Sequence, residues 1–406
     1  MQPRVRQTTK IFYFDYAAAT PVSAQVERAM RPYLSRVYGN PSSLHRQGQK
    51  ARRALEDSRK QVAEALAARQ EEIIFTAGGT ESCNLAILGF AKALAGQKAH
   101  FITSAIEHPA VLKPFAELQK WGHAVTYLKT SAEGLVSVRE LAKAIRPETA
   151  LVSIMFANNE IGALQPIAEI GKFLSKINFE RSKRKRGRIY FHTDACQAAG
   201  FCDLSVSRLN IDLLTLNGGK IYGPKQSGVL YAKNGTPLFP LLLGGGQERG
   251  LRSGTENVAA AVGLAKALVL AQASRKTASV RLAALRDFLA KSLARSVPEI
   301  ILNGPQLDSG LRLPNNLNIT VPGVEGEALL LYLDAYGVCV STGSACSSNE
   351  NQPSHVLKAI GVPGRLVKSN LRITLGAGTS KAEVSYLAKV FPQVVLSLKT
   401  VINQVK

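Results

Sequence analysis

Between residues 72 and 233 the chain alternates short apolar runs with longer amphipathic stretches. The runs EIIFTAG (72–78), HFITSAI (100–106), AVTYLKT (124–130), ALVSIMFA (150–157), RIYFHTDA (188–195), LLTLNG (213–218) and GVLYAK (228–233) read as strands. Several are apolar throughout, as strands covered on both faces are. AVLKPFAELQKWG (110–122) and VRELAKAIR (138–146) carry their apolar residues at helical spacing. This alternation predicts an α/β fold around a mostly parallel sheet. Such sheets bind ligands outside the carboxyl ends of their strands, so the residues just after each strand are where chemistry is expected.

The pattern changes after a loop at 244–256. A long helical region spans 257–296, and short strands at 316–321, 338–343 and 371–376 then mix with helices near 325–335 and 381–399. The expectation is a large domain over 15–260. A smaller α+β domain is expected from 1–14 together with 261–406.

Composition narrows the class. The chain has 406 residues, 46% of them hydrophobic, which supports a large core. The apolar stretch VAAAVGLAKALVLAQA (258–273) is short for a membrane span and is interrupted by Lys266, so a buried helix is expected there and no membrane. The N-terminus shows no signal-peptide pattern. Five cysteines, irregularly spaced and without a CxxC pair, indicate neither a disulfide framework nor a zinc ribbon. A reducing, cytoplasmic setting follows, with no resident metal.

Charge is the unusual feature: 51 basic residues against 29 acidic give a formal +22. That attracts polyanions without specifying chemistry. The densest basic run, RSKRKRGR (181–188), reads as a solvated surface insertion, with nonspecific polyanion contact through Arg181–Arg188 as its functional alternative. Aromatics are only 6% of the chain, and no nucleic-acid motif accompanies the run.

The strand-end loops hold the candidate chemistry. In TAGGTESCN (76–84), Gly79 and Thr80 open a helix directly after a strand, which suits phosphate or simply a capped helix. His108 in EHPAV can stack on a planar ring and move protons, or cap its helix. Asn158 and Asn159 in NNEIG offer amides to a ring hydroxyl or a carboxylate, or form an ordinary turn. Asp194 in HTDACQ ends an apolar strand, where a carboxylate needs a partner such as a protonated heterocyclic nitrogen. Gln197 lies three residues on. Lys220 in NGGKIYGPK follows two glycines that allow close ligand approach, and a lysine there can form an imine. Together these residues suit pyridoxal 5′-phosphate, an electron sink whose ring nitrogen needs an acidic partner.

The ordered motifs GNPSS, TAGGTESCN, EHPAVL, NNEIG, HTDACQ, GGKIYGPK, GGGQERGLRSGT and STGSACSS resemble the cysteine desulfurases, in the NifS/IscS-like branch of the class V aminotransferases. The resemblance runs from YFDYAAATP (13–21) to LRITLG (371–376). It implies the fold-type I architecture of pyridoxal phosphate transferases, a homodimer, and conversion of L-cysteine to L-alanine. Sulfur would pass to Cys346 as a persulfide and then to an acceptor serving iron–sulfur cluster assembly or tRNA thiolation.

Residue by residue, the resemblance makes Lys220 the lysine that bonds the cofactor and Asp194 the partner of its ring nitrogen. Gln197 and Asn158 would contact the ring oxygen, and His108 would stack on the ring and transfer protons. Gly79, Thr80, Asn217, Gly218 and Gly219 would bind phosphate, joined by Thr255 of the partner subunit. Arg372 would hold the substrate carboxylate, with Asn158 beside it. Cys346 would be the nucleophile and a candidate transient iron–sulfur ligand. One stretch departs from the family: Asn217 and Gly219 stand where a hydroxyl residue and a histidine usually touch the phosphate. Selenocysteine lyase, another class V activity, or a fold repurposed for nucleic-acid binding are the alternatives.

Overall fold

The computed structural model describes residues 10–343 and 353–405. Cys346 lies outside the described residues. A seven-stranded sheet has the order β2-β8-β7-β6-β5-β3-β4. Its strands are β2 (Ile73–Thr76), β3 (His100–Ser104), β4 (Ala124–Leu128), β5 (Thr149–Ser153), β6 (Tyr190–Asp194), β7 (Leu213–Asn217) and β8 (Gly228–Ala232). The pairs from β4 through β7 are parallel, and β8 is antiparallel to both β7 and β2. The carboxyl ends of β2, β3, β5, β6 and β7 therefore share one edge. β5 stops at Ser153, earlier than the apolar run 150–157 suggests. Beyond it Ile154 and Phe156 still donate to the carbonyls of His192 and Asp194, but Ala157 turns back to bridge Leu164.

The sheet is buried on both faces. Leu213, Leu214, Leu216, Val229 and Leu230 are fully covered, as the unbroken apolar runs require. Two sheet histidines are structural. His100 bonds Thr149 and Thr126, and His192 bonds Ser153 and Thr215. Burial pushes both imidazoles down to about 4, so they stay neutral.

The C-terminal part holds an antiparallel sheet of order β12-β10-β9, formed by Ile301–Leu302 (β9), Asn316–Thr320 (β10) and Asn370–Thr374 (β12). A two-residue pair joins Phe12–Tyr13 (β1) to Val338–Cys339 (β11), so the N-terminal segment is built into this region. Phe12 and Phe14 share its core with Leu317, Ile373 and Phe391. The helix Val258–Ser296 serves both cores. Leu264 and Leu268 pack in the sheet core, whereas Leu282, Leu289 and Leu293 pack in the C-terminal one. This helix is long and apolar enough to cross a membrane by composition, yet half of its most apolar window is covered by the fold.

The basic run needs a correction. Arg181 is not solvated: it is 8% exposed within the helix Ile167–Lys183. Its guanidinium donates to the carbonyls of Gly187, Arg146, Pro147 and Thr149 at 2.6–3.2 Å, which pins the following turn. Arg188 pairs with Asp212. The solvated stretch is residues 182–188.

Candidate active site

The shared strand edge opens into a cavity of about 600 Å³. Gly79, Thr80, His108, Asp194, Gln197, Asn217, Lys220 and Arg372 all line it. Lys220 reaches it from the turn Gly218–Lys220 after β7, donating from Nζ to the carbonyls of Ala17 (2.9 Å) and Ala18 (2.6 Å). Gln197 Nε2 donates to the same Ala17 carbonyl at 2.9 Å. The segment after β1 thus supplies part of the wall facing the lysine.

Asp194 ends β6, and one carboxylate oxygen accepts from the Cys196 amide at 2.9 Å. This local turn fixes the carboxylate at the strand end. Burial, reinforced by the Asp194 charge, pushes the Cys83 and Cys196 thiols well up. Burial also raises Cys202 to about 12 and raises Cys339. All four described cysteines are therefore held as thiols, the opposite of what a nucleophilic sulfur requires.

His108 caps the helix Pro109–Lys120, its Nδ1 accepting from the Ala110 amide at 3.1 Å. Burial pushes its imidazole down. The Asp194 charge opposes this, and Lys220 and His355 add to it. With Nδ1 used as an acceptor, the neutral ring carries its proton on Nε2.

Arg372 lies on β12 and is nearly buried. One nitrogen donates to Asp15 Oδ1 at 2.8 Å, and another to the carbonyls of Asn159 (3.1 Å) and Gly343 (3.3 Å). Its Nε is buried without a partner. An orphaned buried donor costs about 1–3 kcal/mol, so a cavity-lining arginine in this state is suited to an incoming carboxylate. Sequence reasoning did not find Asp15, whose only signal was its place in YFDYAAATP.

The phosphate-side residues divide. The backbone at Gly78 adopts φ +149°, with open space where a Cβ would stand. A Cβ on Gly79 would lie 2.8 Å from Cys196 Sγ, so this position must stay bare. The amides opening the helix at Gly79, the Thr80 hydroxyl and the Asn217 side chain form a donor set that fits phosphate. Gly218 and Gly219 are a correction, because neither lines the cavity. The Gly218 amide is bound to the Ser227 carbonyl at 2.9 Å and the Gly219 amide to Asn217 Oδ1 at 3.0 Å. Both donors are spent inside the turn.

Asn158 is a second correction. It is fully buried and does not line the cavity. Its Oδ1 accepts from the amides of Glu160 (2.8 Å) and Ile161 (2.9 Å), and its Nδ2 donates to the Ile106 carbonyl (2.9 Å). It builds the turn, and Asn159 lines the cavity instead. Thr255, expected to act from a partner subunit, lies away from this chain's own cavity. It borders a second one beside β2, on a loop fixed by Arg252 to Glu81 (2.8 Å) and by Glu248 to Arg59 (2.7 Å).

Glu160, Ser354 and His355 are among the cavity groups that were not anticipated. Ser354 Oγ donates to Glu160 Oε2 at 2.6 Å. Burial pushes the Glu160 carboxyl up, while Ser354 and the charges of His355 and Arg372 pull it back.

Residues 12–387 match the family described as Aminotransferase class-V. The chain belongs to this family. It is 46% identical over 389 residues to a cysteine desulfurase IscS of Dictyoglomus turgidum, covering 96% of this chain and 95% of that one. It is also 46% identical over 395 residues to a cysteine desulfurase IscS of Methanosarcina thermophila, covering 97% and 94%. Among solved structures, a NifS-like protein superposes with a TM-score of 0.87 at 34% identity, covering 96% of this chain and all of the other. SspA, solved in complex with cysteine, gives 0.74 at 36% identity, covering 89% and 98%. Class V aminotransferases of this kind are pyridoxal phosphate enzymes with the α/β architecture seen here.

One buried group beneath the site gives a stability prediction. Burial pushes the Glu107 carboxyl from 4.5 up to about 8, against hydrogen bonds from Ser104 and the Met155 amide. Between those two values the folded protein keeps a proton that the unfolded chain releases. Stability contributed at this position therefore falls as pH rises through the window. Glu107→Gln has no such slope. The urea midpoint of the variant relative to the native protein is expected to rise between about pH 5 and about pH 8. An offset that stays constant over this range would refute the assignment.

Proposed function

We propose that this protein is a cysteine desulfurase, taking sulfur from L-cysteine onto Cys346 as a persulfide and releasing L-alanine. The observation that carries this reading is a single cavity that gathers a lysine amine, a strand-end carboxylate, a neutral histidine and an arginine with an unmet donor. Bound pyridoxal phosphate would supply an electron sink beside the substrate α-carbon. Lys220 would hold it covalently, Asp194 would keep its ring nitrogen protonated, and Gly79, Thr80 and Asn217 would hold its phosphate. His108 would lie against the ring and present its Nε2 proton. Gln197 would reach the ring oxygen once it leaves the Ala17 carbonyl.

Arg372 would grip the substrate carboxylate, with Asp15 orienting the guanidinium. Arg372→Ala strands a buried carboxylate and removes a charge-assisted anchor. The expected loss in kcat/KM is about 10³-fold, from roughly 4 kcal/mol of such contacts. Arg372→Lys should recover little of it, because an ammonium lacks the planar fork. Steady-state kinetics at saturating cofactor measure both. A lysine variant as efficient as the native protein would remove Arg372 from this role.

The raised thiols of Cys83, Cys196, Cys202 and Cys339 leave Cys346 as the cysteine suited to attack. The persulfide would pass to an acceptor protein, for iron–sulfur assembly or tRNA thiolation. A cytoplasmic location fits the free thiols. A homodimer is supported by large apolar side chains left exposed on loops, among them Leu44 and Leu243, and would allow Thr255 of the partner subunit to complete the phosphate site. Exposed residues 182–188 offer a surface for polyanions. Relative turnover of L-cysteine and L-selenocysteine tests the reading: a desulfurase turns over both, whereas a product from selenocysteine alone would make the protein a selenocysteine lyase.

A further inference from the structure

The helix Ile167–Lys183 ends in a basic turn whose backbone is fixed. The Arg186 amide donates to the Arg181 carbonyl at 3.0 Å and the Lys185 amide to the Ser182 carbonyl at 3.1 Å, the paired bonds of a Schellman stop. Lys185 fills the left-handed position of that stop at φ +53°. Glycine is the residue this position favours, so a lysine is kept there against the local preference. Beneath the turn, the buried Arg181 guanidinium ties the Gly187 carbonyl to those of Arg146, Pro147 and Thr149. The turn is therefore a built platform rather than a slack insertion.

Much of its charge is unpaired. Lys183 pairs with Glu180 and Arg188 with Asp212. Arg184, Lys185 and Arg186 are exposed and have no ion pair among the described residues. Arg146 is exposed on the loop that Arg181 binds, which it shares with Glu148.

An aromatic ring stands beside these cations. Phe179 lies one helical turn before Lys183 and is 62% exposed, although the Lys183 ammonium sits 4.3 Å from its ring centre. At the other end of the run, the Arg188 guanidinium lies 5.5 Å from the ring centre of half-buried Tyr190. A cationic surface alone suits any polyanion. An exposed ring set among cations adds a face on which a base stacks, which neither an acidic peptide nor a duplex with its bases paired would use.

We infer that the turn at 182–188, together with Phe179, is a docking site for single-stranded nucleic acid. Phosphates lie along Arg184, Lys185 and Arg186, and an unpaired base stacks on Phe179. Arg181 touches no ligand and positions the turn. The site stands apart from the desulfurase reading, because none of these residues borders the cavity.

The test is fluorescence anisotropy of labelled oligouridine and oligothymidine, each of roughly 12 nucleotides, titrated with the cofactor-loaded protein at about 50 and about 200 mM salt. The native protein is expected to bind with a dissociation constant between about 1 and 100 μM at the lower salt. Phe179→Ala should weaken binding roughly tenfold, as loss of one stacked base does, and leave the salt dependence unchanged. Neutralising Arg184, Lys185 and Arg186 together to glutamine should lower the slope of log affinity against log salt by about 2, at about 0.7 per phosphate contact. Lys185→Gly removes a charge and supplies the residue its backbone favours, so it should bind less tightly yet melt no lower than the native protein, which separates lost contact from lost fold. Preference for oligouridine would make the natural ligand RNA, and equal binding of both strands would make it any single strand. No binding by the native protein at the lower salt, or native affinity in Phe179→Ala, overturns the proposal. Displacement by polyglutamate as effective as by unlabelled oligouridine also overturns it and makes the turn a site for an acidic protein.

Discussion

Lys220→Ala protein is expected to emerge from purification without bound pyridoxal phosphate colour and to turn over L-cysteine at least about 10⁴-fold more slowly than the native protein. Removing the group that forms a covalent link abolishes a route rather than weakening a contact. The fold should survive. Nζ donates to the Ala17 and Ala18 carbonyls, at the edge of a turn whose backbone is held independently by Ser227 and Thr20. Net hydrogen-bond contributions of about 1 kcal/mol each put the stability loss near 2 kcal/mol. Absorbance of the purified protein and its melting temperature separate the two effects. A coloured, active Lys220→Ala protein would remove the lysine from its assigned role.

The sequence placed this lysine well because its signal was local. Lys220, Asp194, His108 and Thr80 each follow or end an apolar run, and in a sheet of like-directed strands those positions converge whatever the loop details. The strand pattern between 72 and 233 was legible for the same reason: burial on both faces writes continuous apolar runs. The helix Arg46–Leu66 escaped notice because its polar positions outnumber its apolar stripe.

What was not legible depends on tertiary hydrogen bonding. NNEIG does not say which asparagine faces inward; the amides of Glu160 and Ile161 settle that by claiming Asn158. NGGK does not reveal that both glycine amides are spent inside the turn. The burial of Arg181 depends on carbonyls at 146–149, more than thirty residues away. Asp15 and Arg372 are 357 positions apart, so their pairing has no local signature. Glu160, Ser354 and His355 meet only because the chain returns to the sheet edge.

The second large effect concerns Cys346. Burial holds the thiols of the other four cysteines up, which disfavours the thiolate a nucleophile needs. Cys346→Ala should therefore bind cofactor and L-cysteine normally and still fail to release alanine, with a loss of at least about 10³-fold in kcat. KM and cofactor absorbance should stay near native values, because the change removes only the sulfur that receives the substrate sulfur. A defect confined to kcat distinguishes a nucleophile from a residue that shapes the pocket.

The most direct measurement is alanine formation from L-cysteine by cofactor-loaded native protein beside Cys346→Ala. The account predicts alanine from the native protein, a persulfide on its Cys346 peptide, and neither from the variant. Equal alanine from both proteins, or none from a native protein with fully bound cofactor, would contradict it.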